Sequence, residues 1–227
     1  MTKRSDTQKE EKMNIRELIL HDKVIVIVRR IYGDTLMRLT EAMCNGNVHL
    51  MELTFDQSDP DCVTTTAESI VQLKARFGGT MHFGAGTVLT EEQVTAAKQA
   101  GCEYIISPNT DCRVIAATKA SEMLSIPGAM TPSEILTAHN AGADFVKLFP
   151  AGYLGVPYIK DVRAPISHVN LIATGGIKEE NFASFLQAGM AGAGISGRLT
   201  DKNCIAENNY AELSARAKTF RAIADEN

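Results

Sequence analysis

Eight short apolar runs recur along this chain, separated by segments of helical period. The runs cover residues 24–28, 48–53, 82–85, 104–107, 123–126, 145–149, 170–173 and 191–195. Helical patterns lie near 34–45, 60–77, 90–100, 111–120, 131–141, 178–188 and 205–224, while 153–163 reads as a loop with a short helix. Short, continuously apolar strands are buried on both faces. A strand that returns through a helix runs parallel to the one before it. Eight such units within 227 residues predict a (β/α)8 TIM barrel of minimal size. The alternative is an open doubly wound sheet, which the even length of the units disfavours. A further helix over 12–21 is expected to close the bottom of the barrel. Residues 1–10 offer almost nothing to bury and are expected to form a flexible tail ahead of one domain over 11–227.

Helix ends support this register. Thr90-Glu91-Glu92-Gln93 and Thr131-Pro132-Ser133-Glu134 have the form of capping boxes. Gly46, Gly78, Gly101, Gly142 and Gly189 each follow a helical pattern, and left-handed caps are expected at all of them.

Composition narrows the function. A formal net charge of -4 argues against a nucleic-acid surface built on bulk positive charge. No window has the length and apolarity of a membrane span, and the N-terminus lacks the apolar core of a secretory signal. The five cysteines are scattered without CxxC spacing, and the five histidines form no HxxxH or HxH pair. Free thiols, a cytoplasmic location and the absence of a metal centre are the expectations.

Within this framework a few residues break the pattern. Lys147 lies inside the apolar run Asp144-Phe145-Val146-Lys147-Leu148-Phe149-Pro150. Burial favours its neutral amine, which can attack a ketone and form a Schiff base. Alternatively, its stem packs on apolar neighbours and its head reaches water. Glu52 lies near the end of the second run and shares a strand face with Leu50 and Thr54. The second and sixth strands are both even-numbered, so Glu52 and Lys147 can approach across the barrel axis. A carboxylate there can move protons for a bound imine, or simply pair with a buried lysine.

Other candidates sit at strand ends. Thr87, in Gly84-Ala85-Gly86-Thr87, offers a hydroxyl for a carboxylate beside backbone that a ligand can approach closely. Arg29 and Arg30 end the first strand, and parity with Ile25 and Ile27 turns Arg29 inward. It is a carboxylate clamp or half of a solvated basic turn. Ser107-Pro108-Asn109 ends the fourth strand. Thr174-Gly175-Gly176 and Gly194-Ile195-Ser196-Gly197 end the seventh and eighth, the usual place for a phosphate in this architecture.

Taken in order, Leu-Met-Glu52-Leu-Thr, Gly-Ala-Gly-Thr87-Val-Leu, Ile-Ser-Pro108-Asn, Phe-Val-Lys147-Leu-Phe-Pro, Ala-Thr-Gly175-Gly-Ile and Gly-Ile-Ser196-Gly resemble the class I KDPG/KDPGal aldolase family, which includes 4-hydroxy-2-oxoglutarate aldolases. The resemblance implies reversible cleavage of a 2-keto-4-hydroxy acid to pyruvate and an aldehyde, a homotrimer, and no metal or organic cofactor. It makes Lys147 the Schiff-base residue and Glu52 the general acid/base. Thr87, Pro108 and Phe149 become pyruvate-pocket positions, with Gly175, Gly176, Ser196 and Gly197 around a phosphate. Two departures stand out. Asp56 replaces the arginine that KDPG-type enzymes carry four residues after the glutamate, whereas Arg29 matches the arginine of KDPGal-type members. The last loop reads Ser196-Gly197 with Arg198 beside it, where many members have Gly-Ser. The expected substrate is a 2-keto-3-deoxy-6-phospho sugar acid. The alternatives are 4-hydroxy-2-oxoglutarate, a sugar-phosphate isomerase or epimerase, and a non-catalytic binding barrel.

Overall fold

The computed structural model describes residues 13–227, so the tail expected over 1–10 lies outside the described residues. The apolar runs form parallel strands β1 (Val24–Val28), β2 (Leu50–Thr54), β3 (His82–Gly86), β4 (Tyr104–Ile106), β5 (Leu124–Ile126), β6 (Gly128–Ala129), β7 (Val146–Leu148), β8 (Leu171–Thr174) and β9 (Gly192–Ile195). They pair in the order β5-β4-β3-β2-β1-β9-β8-β7-β6. The two ends of that row, β5 and β6, are separated in the chain only by Pro127. They are two halves of one stave. The lower half pairs with β4, Tyr104 opposite Leu124, and the upper half with β7, Gly128 opposite Lys147. Pro127 has no N–H to offer a ladder, but its carbonyl accepts from the Lys147 N–H at 2.8 Å. The result is the expected eight-stave barrel, with its fifth stave split.

Helices follow the staves: α1 (Ile15–Asp22), α2 (Gly33–Asn45), α3 (Cys62–Phe77), α4 (Glu91–Gln99), α5 (Cys112–Ala120), α6 (Pro132–Asn140), α7 (Ala151–Arg163), α8 (Glu179–Gln187), α9 (Lys202–Ala206) and α10 (Tyr210–Glu226). Where a loop with a short helix was expected, α7 runs from 151 to 163, interrupted at Gly155 with φ 73°. The single helix expected over 205–224 is two helices. Asn208 between them takes φ 56°, and the Asn209 side chain caps α10 by accepting from the Glu212 N–H. Asparagine tolerates that left-handed geometry and competes with the helix for its own hydrogen bonds.

The caps divide in the same way. Gly101, Gly142 and Gly189 are left-handed as expected, whereas Gly46 and Gly78, at φ -91° and -63°, are not. Gly46 is needed for another reason. A Cβ there would stand 2.3 Å from the Ala217 Cβ, so its absence lets α10 lie against α2.

Ile25, Leu50, Tyr104, Ile126, Phe145 and Ile172 fill the lower barrel interior, and Ile19 of α1 closes it from below. Burying Ile19 contributes roughly 1.5–3 kcal/mol. The base is sealed by a polar cluster as well. Asp22 is almost fully buried, and its carboxylate accepts from His49 at 2.8 Å and His21 at 3.0 Å. Burial works against the charged form, but the two histidines hold the carboxyl below its usual range. Arg221 of α10 donates to the Asp22 carbonyl, and Lys23 Nζ donates to the Ala224 carbonyl at 3.1 Å.

Candidate active site

Register places the two central groups. Glu52 of β2 lies opposite Ile27 of β1 and Gly84 of β3. Lys147 of β7 lies opposite Gly128 and Ile172. Both side chains point into the barrel and are nearly closed to solvent, at 1% and 3% exposure. Both Glu52 carboxylate oxygens are buried without a hydrogen-bond partner. Room for that carboxylate comes from Gly86, where a Cβ would approach Glu52 Oε1 to 2.5 Å. Any side chain at 86 would displace it.

Burial pushes the Glu52 pKa up, against the pull of the nearby charges of Lys147 and Arg29. Burial likewise pushes the Lys147 pKa down, Glu52 opposes the shift, and Arg29 adds to it. The site therefore favours a neutral amine beside a carboxyl group that keeps its proton to higher pH than usual. No ion pair within 4.0 Å joins the two among the described residues. The Lys147 Nζ instead lies 5.3 Å from the centroid of the Phe149 ring.

Above this pair the barrel opens into two cavities. The larger, about 870 Å³, is lined by Arg29, Thr54, Asp56, Thr87 and Ser196 among others. The smaller, about 370 Å³, is lined by Arg29, Phe149, Gly175, Gly176, Ser196 and Gly197 among others. Lys147 and Glu52 line neither. Each lies one inward step below a lining residue, Phe149 and Thr54 respectively. The cavities share Arg29, Ser196 and Gly197, so they are two arms of one mouth.

Most of the residues singled out in the sequence meet at this mouth. Arg29 lines both arms and makes no hydrogen bond or ion pair among the described residues. Arg30 also lines the larger arm, but its guanidinium is engaged. It grips Asp56 with two nitrogens, at 2.6 and 2.8 Å, and also reaches Ser58. Arg30 and Ser58 together hold the Asp56 carboxyl down to about 2. The acid in place of the family arginine is thus neutralised by the second arginine of the first strand end. Thr87 lines the larger arm with φ 55°. Pro108 stands exposed on the rim and lines neither arm. Its carbonyl instead presses on Gly128, where a Cβ would come within 2.3 Å.

Gly175 and Gly176 both take left-handed backbone, at φ 87° and 74°, and the Gly175 carbonyl accepts from the Gly152 N–H. Arg198, beside this loop, is engaged by Glu179 through contacts of 2.8 and 3.0 Å. Lys178 is a lining cation that the sequence reading passed over. Its position just after Gly-Gly-Ile, ahead of α8, was the available signal. Among the described residues, no cluster of three His, Cys, Asp or Glu side chains could hold a metal ion. No helix among them is long and apolar enough to cross a membrane.

The sequence model of KDPG and KHG aldolase matches residues 15–216. The chain belongs to the KDPG and KHG aldolase family. Among its relatives is the 2-dehydro-3-deoxy-6-phosphogalactonate aldolase of Escherichia coli K12, 32% identical over 199 residues that cover 87% of this chain and 94% of that protein. The native KDPGal structure superposes with a TM-score of 0.79 at 30% identity, covering 89% of this chain and 94% of that one. A cube-shaped protein cage designed by fusing symmetric oligomeric domains matches equally well in shape, TM-score 0.79 at 30% identity, over 90% of this chain and 72% of its own. As a member of the KDPG and KHG aldolase family the protein is a lyase, and the isomerase and non-catalytic readings of its sequence fall away.

Proposed function

We propose that this aldolase cleaves a 2-keto-3-deoxy-6-phospho sugar acid, of gluconate or galactonate configuration, to pyruvate and glyceraldehyde 3-phosphate. The observation that carries the reading is the pair inside the barrel just below its mouth: a desolvated amine and a buried carboxylate with no other partner. The neutral Lys147 amine attacks the C2 ketone and forms a carbinolamine. Loss of water leaves an iminium. Glu52, directly or through a water, takes the proton of the C4 hydroxyl. The C3–C4 bond breaks, the C4 oxygen becomes the aldehyde, and the bond electrons move into the iminium to give an enamine. A proton returns to C3, and water releases pyruvate and the free amine. Thr87 and Phe149 shape the pyruvate pocket and Pro108 its rim.

The distal phosphate lies in the smaller arm, against Gly175, Gly176, Ser196 and Gly197. Two left-handed glycines and the exposed Lys178 support that placement. Engagement of Arg198 by Glu179 favours a second reading, the unphosphorylated 4-hydroxy-2-oxoglutarate. A coupled pyruvate-release assay on KDPG, KDPGal and 4-hydroxy-2-oxoglutarate separates them. Higher kcat/KM for a phosphorylated substrate is expected, and the opposite order would move the assignment to 4-hydroxy-2-oxoglutarate.

Arg29 holds the substrate carboxylate. A carboxylate in a partly dry mouth needs a cation or several N–H donors, and Arg29 is free where Arg30 is tied to Asp56. Losing a charged hydrogen-bond partner costs about 1.5–3 kcal/mol, so Arg29→Ala should raise the pyruvate KM roughly ten- to a hundredfold. Arg30→Ala should do much less. Equal, small effects from both would assign the carboxylate to Thr87 and backbone N–H groups. The assembly is a cytoplasmic homotrimer, and sedimentation showing a monomer at micromolar protein would rule the trimer out.

A further inference from the structure

The turn after β3 carries Thr87 in a conformation that a β-branched residue rarely adopts. Such strain persists only where the surroundings hold it in place. Here the backbone groups of the turn are taken up one after another. The Thr87 carbonyl accepts from Gln57 Nε2 at 2.8 Å. The Val88 N–H donates to the Ile106 carbonyl at 3.3 Å, and the Val88 carbonyl accepts from Ser107 Oγ at 2.7 Å. The Leu89 N–H donates to Gln93 Oε1 at 2.7 Å.

Two of these partners are joined to each other. Gln93 Nε2 donates to Gln57 Oε1 at 3.1 Å. Gln93 opens α4, is only 4% exposed, and has its own N–H bound by Thr90 Oγ1. It is the fixed end of the relay. Gln57 is the exposed end, and it lies on the loop after β2 beside Asp56. The relay thus runs from a buried amide, through an exposed one, to the carbonyl of the strained residue at the mouth.

We infer that Gln57 and Gln93 are positioning residues for substrate binding: their linked amides hold the Thr87 backbone left-handed so that its hydroxyl faces the pyruvate carboxylate. The inference rests on the assignment of Thr87 to the pyruvate pocket. Gln57 touches no reacting atom in this scheme and acts only through Thr87. An amide is required because one end must donate to a carbonyl while the other accepts from Gln93. Glutamate keeps the shape but offers no donor.

A double-mutant cycle on the full chain tests this, with pyruvate KM and kcat read in the aldol direction and the thermal midpoint read alongside. Thr87→Val alone tests the pocket assignment and should raise the pyruvate KM. Gln57→Ala and Gln57→Glu should each raise KM about fivefold, the worth of one hydrogen bond, with kcat moving less. In the Thr87→Val background Gln57→Ala should add almost nothing. A silent Thr87→Val would overturn the pocket assignment and the inference together. A Thr87→Val effect with a silent Gln57→Ala, or with fully additive effects, would overturn the positioning role alone. A Gln57→Glu as good as wild type would do the same.

Discussion

Lys147→Ala should bring aldol cleavage down to the uncatalysed background and abolish borohydride trapping of pyruvate at the same time. Lys147→Arg should do likewise. It puts a permanent cation where the wild type favours a neutral amine, and a guanidinium keeps its proton and makes no imine. The wild type should gain one reduced pyruvyl group, on Lys147. Label on any other residue, or turnover surviving in Lys147→Ala, would sink the imine mechanism. The buried setting also sets a pH dependence. The Lys147 pKa is lowered from the ordinary 10.5, chiefly by burial. As pH falls through that lowered value the amine gains a proton and stops attacking ketones. The rate of trapping should therefore show its acid limb below 10.5, and a limb at the ordinary lysine value would mean that the amine is solvated.

Glu52→Gln is the second large effect. It keeps the shape and removes the base, so kcat should fall by roughly 10²–10⁴. Trapping should slow too, because carbinolamine formation also needs proton movement. Near-normal cleavage would reduce Glu52 to a structural neighbour of Lys147. The same substitution should stabilise the fold at pH above the raised Glu52 pKa. The folded-state pKa of Glu52 is raised above the ordinary 4.5. Its contribution to stability is therefore most favourable below 4.5 and is lost as pH rises through the raised value. Glutamine carries no charge and escapes that loss. The Tm advantage of Glu52→Gln should thus grow as pH rises through that raised value and shrink on acidification towards 4.5. An active-site group that costs stability is the expected trade for a poised proton donor.

Much of this could be read from the sequence, for identifiable reasons. The staves announced themselves because continuous apolar runs between helical periods are hard to place anywhere else. Lys147 and Glu52 were visible as charges inside such runs, where a charge is an exception. The split stave was not visible. Gly128 and Ala129 are two small residues after a proline, and only the closure of the barrel turns them into strand. Helix α7 was hidden by Gly152, Gly155 and Pro157, which lower local helix propensity, although packing on the barrel overrides them. The cap at Gly46 was misread because a close helix contact and a left-handed turn select the same residue, whereas at Gly78 a Cβ would meet the Lys74 carbonyl of its own helix at 2.6 Å. Gln57 and Gln93 gave no signal, since an amide in a loop and another in a first turn are ordinary until the structure brings them together. The pairing of Asp56 with Arg30 was only half visible: the sequence showed an acid where KDPG-type enzymes carry an arginine, and the fold set a cation against it.

The seal at the base of the barrel has a temporal side. Asp22 and Arg221 stand 199 residues apart in the chain, so the ribosome delivers the first long before the second. Until Arg221 emerges, the Asp22 carbonyl lacks the donor that closes over it, and α10 is not yet there to pack on α2 and α8. The polar seal around Asp22 therefore cannot form before α10 has been made, and until then that cluster stays open to water or to a chaperone.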